Sequence, residues 1–197
     1  RYTENLEAYN LYLQGRYQCS LMTPEGLQKS LTYFEQAIEM DPDFAMAYSD
    51  LAFTYSALSY GLLPPTEAIP KAEEYANKAL ELDDKIAQAY SLLGDIYMNF
   101  HWNWEQAEEM YKKAIEINPN HASSYSILLS YLGRNEEALN MAKRTFELDP
   151  LSGWIVFTVG WAYYHNQQYE KAIEVFESAL AMDPTSLMPK YYLGLAY

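Results

Sequence analysis

The side chains that could do chemistry are few, and their spacing does not bring them together. His101, His121 and His165 each stand without a second His or a Cys at a ligand spacing such as i, i+4. A zinc site needs several such donors converging, so these three read as turn or helix-end residues facing water. The carboxylate pairs Glu73-Glu74, Glu108-Glu109 and Glu136-Glu137 have the residue type that paired acid/base catalysis uses. They fall on segments whose outer face is solvated and read as surface charge. Cys19 is the single cysteine, so no internal disulfide can form, and nothing around it suggests a nucleophile. There is no G-x-S-x-G, no phosphate-binding loop and no dinucleotide fingerprint. The expectation is a chain that is not an enzyme, with no catalytic residue, no metal and no cofactor. The turn Trp102-Asn103-Trp104 invites a ligand reading. The competing reading, preferred here, has one Trp packed under the turn and the other stapling the next helix.

Composition narrows the partners. The 197 residues are half apolar and include 20 Tyr, ample for a packed core. Net charge is −14, from 27 acidic and 13 basic side chains. Phosphate backbones are held by Lys and Arg that displace counterions, so nucleic acid is not an expected partner. No run of 18 apolar residues occurs, so no membrane span is expected. The first residue is Arg1 and no leader pattern follows. The chain reads as a piece of something longer, with a cytoplasmic location expected.

The strongest signal is self-similarity. FEQAIEMDPDF (34–44), ANKALELDDKI (76–86), YKKAIEINPNH (111–121) and FESALAMDPTS (176–186) are one phrase, with AKRTFELDPLS (142–152) a looser copy. Each is the end of an amphipathic helix stopped by Asp-Pro, Asn-Pro or Asp-Asp, because proline disfavours the helical region for its predecessor. The anchors Pro42, Asp84, Pro119, Pro150 and Pro184 lie 42, 35, 31 and 34 residues apart. A second phrase follows most anchors: YSDLAFTY (48–55), YSLLGDIY (90–97), VFTVGWAY (156–163) and KYYLGLAY (190–197), with a small residue fifth and Tyr eighth. Other signals agree. Thr23-Pro24 caps a helix, Asn103 and Gln106 form a capping-box-like pair, and Gly133-Arg134-Asn135 closes one helix and caps the next. The second repeat is longer, the excess falling at 59–66, and Pro70 is expected in the first turn of the helix that follows. Register in the fourth repeat is open, since either Ser126 or Leu129 could take the small-residue position.

These residues resemble the tetratricopeptide-repeat (TPR) family, whose period is about 34 residues. Its first-helix pattern W-x2-L-G-x2-Y and second-helix Ala, aromatic, Ala, Pro match Tyr90, Leu93, Gly94, Tyr97, Ala107, Tyr111, Ala114 and Pro119. They match again at Val156, Val159, Gly160, Tyr163, Ala172, Phe176, Ala179 and Pro184, with aliphatic residues or Tyr in place of the Trp. The resemblance implies an all-α, right-handed superhelical solenoid of antiparallel helix pairs spanning 1–197 as one domain. Its repeats would run over 3–44, 45–86, 87–121, 122–152 and 153–186, with the first helix of a sixth at 187–197. The phrases AYNLYLQGRY, YGLLPPTEAIPKA, HWNWEQAEEMYKKAIEINPN and LDPLS also resemble TPR regions appended to bacterial signalling modules: adenylyl-cyclase, winged-helix regulator, TolB-like and serine/threonine-kinase proteins.

In such solenoids the first helix of each repeat lines a concave groove. Carried onto this chain, the groove positions are Tyr9, Tyr12 and Arg16, then Met46 and Phe53, then Gln88, Asp95 and Asn99. Serines such as Ser49, Ser123, Ser126 and Ser130 would make its middle polar. The fifth repeat adds Trp154, Phe157, Trp161 and Tyr164, and the last helix adds Met188 and Tyr191. Phe157 and Trp161 could equally be buried against neighbouring helices. Only Arg16 and Asn99 could serve a carboxylate clamp of the chaperone-binding kind, too few for one. The function implied is a scaffold holding a peptide or partner domain, as the regulatory part of a signalling protein. The alternatives are self-assembly through exposed solenoid ends and a rigid spacer between modules.

Overall fold

The computed structural model describes residues 3–197, and among them the chain forms eleven α-helices, a single turn of 3-10 helix and no strand. It divides into two compact units, 1–103 and 104–197. The first holds α1 (Leu6–Ser20), α2 (Pro24–Met40), α3 (Ala45–Leu58), α4 (Pro65–Leu82) and α5 (Ala87–Asn99). The second holds α6 (Trp104–Ile117), α7 (Ser123–Tyr131), α8 (Asn135–Leu148), α9 (Gly153–His165), α10 (Tyr169–Met182) and α11 (Leu187–Ala196), with the 3-10 turn Pro119–Ala122 before α7. In each unit consecutive helices pack as pairs, α1 on α2 and α3 on α4, then α7 on α8 and α9 on α10. The first helices also touch one another: α1 meets α3 and α3 meets α5, while α7 meets α9 and α9 meets α11.

Each repeat ends by the same device. Asp41, Asp83, Asn118, Asp149 and Asp183 leave the helical conformation, with φ between −153° and −134°. Their side-chain oxygens accept from the backbone N–H two residues on, at 3.1, 3.0, 3.1, 3.3 and 2.9 Å. This Asx turn competes with helix continuation, and the proline that follows four of the five makes the stop final. The turn inside a repeat uses a different device. Met22, Trp102, Gly133 and Gln167 stand two residues before α2, α6, α8 and α10, and all four have positive φ, from 50° to 73°. A residue in this left-handed region reverses the chain tightly, and only one of the four is the glycine that sequence reasoning looks for.

Helix pairs close where one side chain is missing. A Cβ on Gly15 would stand 2.6 Å from the Phe34 ring, and one on Gly160 would stand 2.5 Å from the Phe176 ring. The aromatic on the second helix therefore fills the space that the glycine on the first leaves open, and both rings are fully buried. Buried alanines line the same seams, among them Ala37, Ala79, Ala114 and Ala179.

Several expectations meet a different structure. Thr23 does cap α2, its hydroxyl accepting from Gly26 N–H at 3.0 Å. Asn135, however, is the first residue inside α8, and Arg134 occupies the cap without a side-chain bond. Pro70 is not in a first turn, because α4 already starts at Pro65, and it lies inside the helix. Neither Trp of the 102–104 turn is buried beneath it: Trp102 is 73% exposed and Trp104, the first residue of α6, 39%. Trp102 has a left-handed backbone, and its ring stands in solvent and not under the turn.

Candidate functional site

In the first unit α1, α3 and α5 present one shared face. Helix α3, AMAYSDLAFTYSAL, carries a single charged residue, Asp50. Asp50 is only 8% exposed. Gln88 on α5 donates its Nε2 to Oδ1 of Asp50 at 2.7 Å. From α1, Arg16 brings Nε within 3.7 Å of Oδ2, too far for a hydrogen bond. The Arg16 guanidinium also lies 5.8 Å from the centre of the Tyr12 ring, and 60% of its side chain is exposed. Burial pushes the Asp50 carboxyl above the ordinary carboxylate range, against the opposing pull of Gln88, the Tyr12 hydroxyl and the Arg16 charge. Oδ2 is enclosed and makes no well-formed hydrogen bond. Beside this carboxylate opens a cavity of about 290 Å³, walled by Arg16, Met22, Phe34, Phe53 and Gln88. Behind it Cys19, whose thiol burial pushes above its usual range, touches the Thr54 hydroxyl at 3.7 Å. Phe53 is 38% exposed on the cavity wall.

The second unit offers an aromatic face. Trp154 is half exposed, and its ring lies 5.4 Å from Phe157. Phe157 in turn packs against Trp161, Phe176 and Tyr192 at about 6 Å each. Tyr164 meets His165, Tyr169 and Tyr192 at 5.4, 5.6 and 5.7 Å. A smaller cavity, about 180 Å³, opens between Trp154, Phe157, Met188 and Pro189. Tyr192 of α11 belongs to this cluster, and burial pushes its phenol up to about 12.

The projected residues therefore part into groups. Arg16, Phe53 and Gln88 converge on one cavity, and Asn99 is exposed, its amide donating to the Asp95 carbonyl at 3.0 Å. Half-buried Tyr9 sits with its ring 6.2 Å from Tyr12. Met46 packs against the core formed by Ala45, Ala79, Ile86 and Ala89. Tyr12, projected onto the groove surface, is instead 1% exposed, its ring wedged 4.9 Å from Phe44 and 5.9 Å from Phe34. Phe157 and Trp161, left open between two readings, are 2% and 3% exposed. Trp154 and Tyr164 keep accessible surface. The serine-rich middle is closed as well. Ser123, Ser126 and Ser130 are buried, and the last two donate back to their own helix at 2.7 and 3.1 Å. Asp50 escaped the projection because it lies one residue past a groove position. A lone acid in an otherwise uncharged, apolar helix was the signal that could have found it.

Among the described residues there is no group of three or more His, Cys, Asp or Glu placed to hold a metal ion, and no helix long and apolar enough to cross a membrane. Models of the tetratricopeptide repeat match residues 33–60, 87–121 and 155–186. Comparison with curated protein sequences finds no match. Among solved structures, the chain is similar to a thermophilic TPR protein of Thermus thermophilus. It is 20% identical, with 96% of this chain and 98% of that one covered and a TM-score of 0.75. It is similar to YrrB, a TPR protein with an unusual peptide-binding site, at 22% identity, 96% and 93% coverage and a TM-score of 0.54. It is also similar to the human IFIT1 dimer with PPP-AAAA, at 19% identity and a TM-score of 0.75, over 89% of this chain and 42% of that one. At these identities the likeness speaks for the fold alone.

Proposed function

The chain belongs to the tetratricopeptide-repeat family, and from that premise we propose that it is a protein-binding scaffold without catalytic activity. Its α1–α3–α5 face holds an extended or helical segment of a partner protein, as the regulatory part of a larger cytoplasmic signalling protein. The observation that carries this reading is the cavity of about 290 Å³ where Phe53 stands exposed beside a buried carboxylate. An accessible aromatic next to fixed polar groups is the combination that anchors a peptide side chain and orients it. Trp154, beside the smaller cavity of the second unit, is a second contact of the same kind. Tyr12, Phe157 and Trp161 act from behind, as the packed support of those surfaces.

The test is quantitative capture from cell extract by the wild-type chain and by Phe53→Ala in parallel. The scaffold reading expects both proteins to unfold at the same temperature while specific partners are depleted from the Phe53→Ala eluate. Equal retention by both would count against this face.

Self-association is the second reading, and α11 favours it. Leu187 is 77% exposed, Tyr191 61% and Leu195 48%, and exposed apolar surface of this kind commonly seats another protein. Mass measured across a concentration series checks it, and a monomer throughout would remove it.

A further inference from the structure

We propose that the cavity beside Asp50 is a seat for a basic side chain of the partner segment, whose ammonium or guanidinium replaces Arg16 as counter-ion of the carboxylate. The inference rests on the scaffold reading above and adds the chemistry of what is bound.

A carboxylate taken out of water is costly unless it is paired and hydrogen-bonded. At Asp50 that compensation is incomplete, although the Tyr12 hydroxyl supplies part of it. Oδ1 receives the 2.7 Å bond from Gln88, while Oδ2 is enclosed with no well-formed bond. The cation nearest to Oδ2 is Arg16 Nε at 3.7 Å, on a side chain that is mostly in solvent. Arg16 therefore covers the carboxylate without engaging it, and can swing into water at little cost because its charge stays hydrated there. The space it would vacate joins a cavity already large enough for the end of a side chain, about 290 Å³. Phe53 on the wall puts an aromatic ring beside the path of an incoming cation. The charge of the whole chain, −14, draws cations toward it and repels anions. The opposite assignment, Arg16 as an anchor for a partner carboxylate, would place an anion beside a buried Asp on an acidic protein.

The probes are n-butylammonium and n-butylguanidinium, with valerate as the anionic comparator, each titrated into the whole chain. The readout is the NMR signals of the Gln88 side-chain amide and the Phe53 ring. Both cations should shift these signals saturably, and valerate should not. Asp50→Asn should weaken the cations by about tenfold or more, as loss of one member of a buried charge pair does. Arg16→Gln should tighten them, because a competing cation is gone. If Asp50→Asn fails to fold, the cation–anion contrast and the Arg16→Gln variant decide alone. Saturable binding of valerate at these signals, no shift with either cation, or weaker cation binding by Arg16→Gln would each overturn the proposal. Partner capture that depends on Phe53 but is indifferent to these results would leave the scaffold reading standing and remove only the basic-seat inference.

Discussion

Gly160 admits the Phe176 ring only because it has no Cβ, and Gly15 does the same for Phe34. An added methyl at 2.5 Å from a fully buried ring cannot be absorbed, because both helices and the ring itself are packed on all sides. Gly160→Ala is therefore expected to cost about 1–3 kcal/mol, as overpacking does, read as a lower urea midpoint at unchanged slope. Gly153→Ala is the control. Nothing lies within 4 Å of its added Cβ, so the same substitution should be neutral or stabilise by about 0.4–1 kcal/mol. The glycine–aromatic pairing was legible in the sequence, since Gly160 and Phe176 hold fixed places in the repeated phrases. Burial of Tyr12 was not. The period places its Cα on a face, but the direction of a long ring depends on Phe34 and Phe44, which come from the second helix and from the next repeat's threshold. Asp50 is a further residue-scale case. Burial raises its pKa, so its charged form opposes folding above that pKa, and the penalty disappears as pH falls and the proton goes on. Asp50→Asn should accordingly melt no lower than wild type at neutral pH, and its advantage should vanish in acid.

Elements are joined by two turn chemistries of unequal visibility. The Asx turns after α2, α4, α6, α8 and α10 are written in Asp-Pro, Asn-Pro and Asp-Asp, and so the repeat boundaries could be placed from sequence. The left-handed residues before α2, α6 and α10 are Met22, Trp102 and Gln167, types that give no such signal. An L-residue pays roughly 1 kcal/mol to sit there and glycine does not. Gln167→Gly should raise the melting temperature, and an unchanged or lower value would mean that the Gln167 side chain has contacts worth as much as the strain. In the second unit Glu108 joins α6 to α7 and to the turn before α8. Arg134 Nη1 and the Tyr125 hydroxyl both reach its Oε1 at 2.8 Å, and Lys112 joins from the same helix. The Lys112 and Arg134 bonds hold its carboxyl down to about 2. A depressed carboxylate contributes stability above its unfolded value, about 4.3, and that contribution is lost as pH falls toward about 2. Glu108→Gln should therefore be less stable than wild type at neutral pH, by about 1 kcal/mol after solvent screening. The two unfolding midpoints should converge in acid.

At the scale of the molecule, period and pattern identify the all-α repeat class because no single helix pair can bury its apolar face alone. They identify the function only as far as that class does. The particular surface depends on which groove positions stay open once the helices have closed, and that is decided by packing across α1, α3 and α5, not by any one repeat. Phe53, Arg16 and Gln88 remain open there, whereas Phe157, Trp161 and the serines of α7 are consumed by the core. The measurement that bears most directly on the scaffold claim pairs two readouts on three proteins. Wild type, Phe53→Ala and Tyr12→Ala are each tested for unfolding midpoint and for retention of partners from cell extract. The account predicts that Phe53→Ala keeps its midpoint and loses its partners, while Tyr12→Ala loses stability by about 3–5 kcal/mol, as a buried aromatic does. Retention of the same partners by a folded Phe53→Ala would contradict it.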